Sequence, residues 1–150
     1  GYHTDETDLY DFHTYDGIEK AEKYLSAFES EGKLVMPLLM PEKAECRAAA
    51  YRPGQPVMAS EYGGIAYDPE ASGWGYAAAA TPKELAGKAA ELSRAYMNCP
   101  KLSGMCYTQL YDVEQEKNGL YYYDRTPKMN ESEAEILRKV LRAPAKIEKE

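Results

Sequence analysis

Cysteine, histidine and cationic side chains are scarce in this chain, and each shortage excludes a class of function. The cysteines form no CxxC pair, and neither histidine stands at zinc-ligand spacing from them. Free thiols in a reducing compartment such as the cytoplasm are therefore predicted for Cys46, Cys99 and Cys106, with no metal and no cofactor. Lysine and arginine number 18 against 25 acidic residues, without a basic stripe, so nucleic acid is excluded as a partner.

Long apolar runs and glycine-rich phosphate loops are also missing. No hydrophobic stretch approaches the roughly 20 residues that cross a bilayer, and the N-terminal residues are polar and acidic. Neither a membrane partner nor a signal peptide is predicted, while a removed leader, export of a parent protein, or a start inside a longer protein stays open. With 44% hydrophobic and 29% charged residues, the 150-residue chain is predicted to be one globular domain.

Tyrosine dominates the aromatic residues. The chain has 14 tyrosines but only two phenylalanines and one tryptophan. A tyrosine combines a flat apolar face with a polar tip, which suits surfaces that meet sugars or other hydroxyl-rich ligands. Packing at an interface explains the same excess equally well.

Strand-like and helix-like patterns alternate three times along the chain. Short apolar or aromatic runs bounded by turn residues predict strands at residues 9–15, 57–60 and 102–110. Three βα units in series predict a parallel sheet with helices outside it. Three βα units are too few to close a barrel, so their number suggests that the chain is part of a larger ring of such units. The predicted apolar helix faces are Ile18, Ala21, Leu25 and Phe28, then Leu85, Ala89, Leu92 and Tyr96, then Ile136, Leu137, Val140 and Leu141.

Capping residues mark the starts of the second and third helices. Thr81 with Glu84, and Asn130 with Glu133, match the capping-box spacing. Proline at position 82 suits the first helical turn of the second helix. The sequence therefore predicts the residue at which each of these two helices begins.

The connections are less regular. Gly32 is predicted to end the first helix. Residues 34–40 are interpreted as a buried connection because prolines interrupt them, residues 42–50 as a short helix, and residues 62–80 as a long loop. Asn118-Gly119 predicts a hairpin-like reversal of the chain.

One carboxylate stands where α/β enzymes place their chemistry. The apolar run at residues 56–60 reads as a buried strand, and it is followed directly by Glu61 and then by Gly63-Gly64. The paired glycines supply a tight turn and room for a close-approaching ligand. A carboxylate at the carboxyl end of a parallel strand is a candidate catalytic group. Taken alone, a solvated or salt-bridged turn carboxylate is the commoner explanation.

Five motifs in order resemble the last third of the catalytic barrel of glycoside hydrolase family 2, the β-galactosidase and β-glucuronidase family. The likeness spans about residues 8–128. It implies an α/β fold, a partial (β/α)₈ TIM barrel holding the sixth strand and helix in residues 1–55, the seventh in 56–100 and the eighth in 101–150. The motifs are Ser60-Glu61-Tyr62-Gly63-Gly64, Gly73-Trp74-Gly75-Tyr76, residues 107–116, Asn118-Gly119-Leu120-Tyr121 and Asp124-Arg125-Thr126-Pro127-Lys128.

The resemblance implies a retaining exo-β-glycosidase with Glu61 as its nucleophile. Such enzymes place two carboxyl groups roughly 5–5.5 Å apart, one to attack the anomeric carbon and one to protonate the leaving oxygen. In the family the second is a glutamate that follows asparagine at the end of the fourth strand, upstream of the part resembled here. The Asn-Glu of this chain, Asn130-Glu131, opens a surface helix. The isolated chain is therefore expected to have little or no activity.

The resemblance also assigns a rim of residues around Glu61. Tyr15 is implied to hydrogen-bond the nucleophile, Tyr107 to form an aromatic platform, and Trp74 to offer a second stacking face. The Asn-x-Lys by which β-glucuronidases recognise the acid of their sugar is missing near residues 116–118. A neutral sugar such as galactose is therefore the expected substrate. The full set of predicted substrate-binding residues is His13, Tyr62, Trp74, Tyr107 and Gln109.

Other acidic and aromatic clusters have simpler explanations. His3, Asp5, Asp8, Asp11 and His13 suit no defined metal geometry and are interpreted as a charged chain end. Asp112, Glu114 and Glu116 are interpreted as a solvated acidic turn rather than a cation site, and Tyr121 to Tyr123 as packing against a neighbouring domain.

Two functions remain in competition. The first is a fragment of a β-galactosidase-like hydrolase; the second is a non-catalytic carbohydrate-binding or interaction module derived from the barrel. An open three-stranded sheet exposes two edges and an apolar face. The expected partners are therefore a neutral β-glycoside and either the remainder of a parent barrel or a second copy of the chain.

Overall fold

A computed structural model describes residues 7–32 and 51–149 of the chain. The connection and short helix predicted for residues 34–50 lie outside the described residues, as do Cys46, His3 and Asp5. The described elements are β1 Tyr10–Thr14, α1 Ile18–Glu31, β2 Val57–Gly63, β3 Ile65–Ala66, β4 Ala77–Ala78, α2 Pro82–Met97, β5 Leu102–Thr108, α3 Glu131–Leu141 and a final 3₁₀ turn Lys146–Lys149.

The main sheet is parallel and has the strand order β1-β2-β5. β2 is central, with Tyr10 opposite Val57 on one side and Val57 opposite Leu102 on the other. Parallel neighbours need a crossover connection, and α1 and α2 each lie between two of these strands in the sequence. The predicted parallel sheet of βα units is confirmed. The larger barrel stays a prediction.

The core lies between the sheet and the helices α1 and α2. The predicted inner faces are confirmed for Ala21, Leu25 and Phe28 of α1 and for all four predicted residues of α2, which are buried. Ile18, the first predicted residue of the α1 face, is partly buried against the same core. Burying each large apolar side chain contributes about 1.5–3 kcal/mol. Tyr24 and Tyr96 satisfy their hydroxyls within this core through a 2.6 Å hydrogen bond to each other.

Helix starts follow the predicted capping residues. The Asn130 side chain accepts from the Glu133 amide, and the Glu133 carboxylate accepts from the Asn130 amide, which completes the capping box. Thr81 caps α2 in the same way, but the Glu84 carboxylate accepts from the Ala80 amide instead of the Thr81 amide. The predicted face of α3 is wrong at Leu141, which is 45% exposed because the helix ends there.

The second strand is longer than the sequence pattern predicts. β2 continues through Glu61 to Gly63 because Tyr62 and Gly63 pair with Tyr107 and Thr108 of β5. Glu61 therefore lies inside the last three residues of the strand, and not on a turn that follows it. β5 ends at Thr108, two residues earlier than predicted.

The loop predicted for residues 62–80 contains structure of its own. β3 and β4 form a two-stranded parallel ladder, with Ile65 opposite Ala77 and Ala66 opposite Ala78. Ile65 and Ala79 enter a second hydrophobic cluster with α2 and α3. This packing holds both ends of the loop against the helices α2 and α3.

The hairpin predicted at Asn118-Gly119 is wrong. The tight reversal is at Glu114 and Gln115, where Val113 and Glu116 exchange both backbone hydrogen bonds and Glu114 has φ +50°. A Cβ on Gly119 would lie 2.3 Å from the backbone nitrogen of Asp112. The glycine is therefore required by close backbone packing.

Asp112 is not part of a solvated turn, which corrects the interpretation of the acidic cluster. Its carboxylate is buried, accepts from Lys128 Nζ at 2.7 Å and also accepts from the Gly119 amide. Lys128 Nζ donates further to the carbonyls of Tyr67 and Lys117. Burial lowers the pKa of the Lys128 ammonium, and the hydrogen bond to Asp112 opposes that shift. This buried pair joins both ends of the segment that follows β5.

The face of the sheet opposite the helices carries Asp11, Met58, Ser60 and Gly104. Ser60 Oγ donates to Asp11 Oδ2 at 3.2 Å, and the side chain of Met58 lies 3.6 Å from the Cβ position of Gly104. No helix in the described part of the chain covers this face. The helices described are too short or too polar to span a bilayer.

Candidate active site

Glu61 lies near the carboxyl end of the central strand, on the face opposite the helices. Its side chain is exposed, and in the register of the sheet it stands opposite His13 of β1. The Tyr15 hydroxyl donates a hydrogen bond to Glu61 Oε2. The structure thus brings together the two side chains that the sequence resemblance pairs, from elements 46 residues apart.

The Tyr15 phenol is held in its neutral form. Burial raises its pKa most, and the hydrogen bond to Glu61 and the negative charge of that carboxylate raise it further. A hydrogen bond with the Thr108 side chain acts in the opposite direction. Tyr15, Glu61 and Thr108 stand at the carboxyl ends of β1, β2 and β5, so all three strands contribute to one site.

Two glycines allow aromatic rings to lie directly on the backbone beside Glu61. Gly63 has φ +109°, and a Cβ there would lie 2.5 Å from the ring of Tyr107. Gly64 has φ +64°, and its Cβ position lies 2.7 Å from the rings of Tyr15 and of Tyr76. The sequence predicts a close approach at these glycines, and the structure fills it with aromatic side chains of this chain.

Tyr107 and Gln109 stand at the carboxyl end of β5. The ring of Tyr107 is half-buried and meets Tyr62 edge to face, with centroids 5.4 Å apart. Gln109 Nε2 is buried and has no hydrogen-bond partner within the described ranges. The ring of Tyr107 packs over Gly63, the second residue after Glu61.

Tyr62, one of the predicted substrate-binding residues, faces the helices in this structure and not the open face of the sheet that carries Glu61. It is 1% exposed and its hydroxyl bonds Ser93 Oγ of α2 at 2.7 Å. The reason is an irregularity in the pairing of β2 with β5 between Ala59 and Tyr62. That shift leaves Glu61 on the open face and turns Tyr62 toward the helices.

The remaining predicted residues lie near the rim. His13 is half-buried on β1, with its ring centroid 6.4 Å from that of Tyr15. Trp74 is 44% exposed, and its ring meets Tyr76 edge to face at 5.4 Å. Within residues 7–32 and 51–149, no three histidine, cysteine, aspartate or glutamate side chains group as a metal site.

Sequence reasoning missed Tyr76. Its ring stacks flat on Tyr15, with centroids 3.7 Å apart and planes 3° from parallel. The signal was the aromatic pair in Gly73-Trp74-Gly75-Tyr76, from which only the tryptophan was selected. Thr108 was missed as well, because nothing in the sequence distinguishes it from other strand-end threonines.

No protein-family model matches this chain, and no curated protein matches it. Solved structures do match its fold. A β-glucuronidase of Faecalibacterium prausnitzii superimposes on 95% of the chain with a TM-score of 0.52 and 17% identity. A β-glucuronidase of an uncultured Clostridium species superimposes on 91% with a TM-score of 0.51 and 16% identity. An exo-β-agarase superimposes on 94% with a TM-score of 0.52 and 13% identity.

These neighbours are glycoside hydrolases, and the chain has the fold of one part of them. It spans 23% of the length of each of these two β-glucuronidases and 17% of that of the agarase. At such identities the likeness concerns the fold alone.

Proposed function

We propose that this chain is the nucleophile-bearing part of a retaining β-glycosidase of glycoside hydrolase family 2. The observation that carries the proposal is the hydrogen bond from the Tyr15 phenol to Glu61 at the carboxyl edge of a parallel sheet. A nucleophilic carboxylate must be reachable and held in one orientation. Glu61 is exposed, and the hydrogen bond from the Tyr15 phenol holds one of its two oxygens.

The two carboxylate oxygens of Glu61 have different roles in the proposed mechanism. Tyr15 occupies Oε2, so Oε1 is the oxygen available for attack on the anomeric carbon. The new bond joins Oε1 to that carbon while the bond to the leaving oxygen breaks, and the leaving oxygen takes a proton from an acid. Water then attacks the glycosyl-enzyme ester, gives its proton to the same group, and returns Glu61 as a carboxylate.

The remainder of the site is proposed to come from residues outside this chain. The described sheet has three strands, with β1 and β5 at its edges and one face uncovered by helices. We propose that these edges and this face continue into a (β/α)₈ barrel, of which the chain supplies the sixth to eighth units. The proton donor would then lie on an earlier strand, roughly 5–5.5 Å from Glu61, and the isolated chain would be nearly inactive.

The proposed substrate is a neutral β-glycoside such as a β-galactoside. The residues at 116–118 lack the Asn-x-Lys that accompanies recognition of a sugar acid. Gln109 offers a buried amide donor without a partner in the described residues, which suits a sugar hydroxyl. Trp74, with its exposed ring, offers a face for stacking a sugar.

Retention of anomeric configuration tests this function. The complete gene product should release sugar from 4-nitrophenyl β-D-galactopyranoside, and ¹H NMR should show the β-anomer first, before mutarotation. The matching β-D-glucuronide should be hydrolysed at least about tenfold less efficiently, a difference of roughly 1.4 kcal/mol in transition-state binding. First release of the α-anomer would reject the retaining mechanism with Glu61 as nucleophile. No turnover of any aryl β-glycoside would reject the enzyme in favour of a binding module.

A further inference from the structure

The phenol that bonds Glu61 is carried by a short connection rather than by a strand. β1 ends at Thr14 and α1 begins at Ile18, so Tyr15 lies outside the hydrogen-bonded ladder. A side chain in such a position keeps one orientation only if neighbouring groups restrain it. The source of that restraint decides how firmly the phenol is held against the carboxylate.

The ring of Tyr76 supplies a flat restraint. Its plane lies 3° from that of Tyr15 at a centroid distance of 3.7 Å, so rotation of either ring would drive it into the other. Gly64 fixes the base of the pair, since the Tyr76 amide donates to its carbonyl at 2.9 Å and both rings lie against its α-carbon.

Tyr76 is itself in contact with Trp74. The Trp74 ring meets it edge to face at 5.4 Å. The backbone of Trp74 accepts from the Lys117 amide and donates to the Gln115 carbonyl, both at 2.8 Å. The segment after β5 therefore supports Trp74, which supports Tyr76, which in turn lies flat on Tyr15.

We propose that Tyr76 is a positioning residue, whose ring holds the Tyr15 phenol against Glu61 Oε2. The inference rests on the proposed role of Glu61 as nucleophile for its catalytic consequence, but the restraint itself does not depend on it. The hydroxyl of Tyr76 is not required by this arrangement, because the stacking contact is made by the ring.

Substitutions at position 76 separate the ring from its hydroxyl. In the complete gene product acting on an aryl β-galactoside, Tyr76→Ala should lower kcat by about 10- to 100-fold with little change in KM, since a misplacement of about 1 Å costs up to 100-fold. Tyr76→Phe should restore kcat to within about threefold of wild type. Tyr123→Ala, at a tyrosine that is 66% exposed, is the matched control and should leave kcat unchanged.

A double-mutant cycle asks whether Tyr76 acts through Tyr15. In a Tyr15→Phe background the phenolic donor is gone, so Tyr76→Ala should add less than about a twofold further loss. Full additivity of the two losses would overturn the inference. A rise in KM without a fall in kcat would also overturn it, because it would make Tyr76 a substrate contact.

A titration that needs no catalysis keeps this inference separate from the proposed function. With ¹³C-labelled tyrosine, the Tyr15 phenol of the wild type and of Tyr76→Phe should titrate above the ordinary value of about 10. In Tyr76→Ala it should move down toward that value, because the phenol gains water and loses its fixed acceptor. An unchanged titration in Tyr76→Ala would overturn the inference. If the Tyr15 phenol titrates as expected but the protein hydrolyses no glycoside, the proposed function is rejected and the positioning of Tyr15 by Tyr76 still stands.

Discussion

Replacing Glu61 with alanine is expected to reduce hydrolysis of an aryl β-galactoside by at least about 1000-fold, or roughly 4 kcal/mol of transition-state stabilisation. The loss follows because no other group can form the glycosyl ester from the position at the end of β2. The complete gene product should be assayed by release of 4-nitrophenolate. Glu70→Gln, at an exposed glutamate of the loop before β4, is the matched control and should retain activity.

Azide rescue of the Glu61→Ala variant distinguishes a nucleophile from a proton donor. Azide that enters the space left by the nucleophile attacks from the α face and gives an α-glycosyl azide from a β-galactoside with an activated leaving group. If Glu61 were the acid/base residue, the enzyme nucleophile would remain and the product would be the β-azide. The β-azide would therefore contradict the assignment of Glu61.

Replacing Lys128 with methionine is expected to be the most damaging single change to local stability. Lys128 and Asp112 are almost wholly buried, at 0% and 2% side-chain exposure, so the substitution leaves a carboxylate without its counter-charge. Breaking such a pair costs about 3–5 kcal/mol. The Gly119 amide, which donates to Asp112, reports this opening directly, and its hydrogen exchange should accelerate by about 100-fold or more.

A second substitution checks that the loss comes from the unpaired charge. Asp112→Asn combined with Lys128→Met removes both charges while an asparagine oxygen can still accept from the Gly119 amide. Exchange at Gly119 should then return part of the way toward wild type. Lys83→Met, at an exposed lysine of α2, should leave it unchanged. A double variant that opens faster than Lys128→Met would contradict the ion-pair explanation.

The helices and the parallel sheet could be predicted from local patterns. Apolar spacing identified the inner faces of α1 and α2, and the Asn130–Glu133 box identified the start of α3. These signals are local because a helix buries one face and satisfies its own first amides. The barrel that would complete the sheet stays a prediction.

The errors arose where long-range packing decides the outcome. Nothing near Asp112 in the sequence identifies Lys128, 16 residues later, as its buried partner. Asn118-Gly119 has the composition of a hairpin turn, yet its glycine serves the close packing of Gly119 on Asp112. At Glu61 and Tyr62, a pairing irregularity of β2 decided which of two neighbouring side chains faces the site.

Tyr15 and Glu61 illustrate what the sequence can and cannot provide for a site. The family resemblance pairs these two residues, and the hydrogen bond between them is present in the structure. The ring that stacks on Tyr15 belongs to Tyr76, whose position depends on the fold of the loop between β3 and β4. A residue that acts through a ring contact leaves little trace in a single sequence.

Covalent trapping of the glycosyl-enzyme tests the assignment of Glu61 as nucleophile most directly. A 2-deoxy-2-fluoro-β-galactosyl fluoride carries a leaving group that needs no proton donor, and the fluorine slows hydrolysis of the ester it forms. Incubated with the whole protein and followed by peptide mass spectrometry, it should attach the fluorosugar to the carboxylate next to Ser60. A sugar ester found on any other side chain would contradict the mechanism described here.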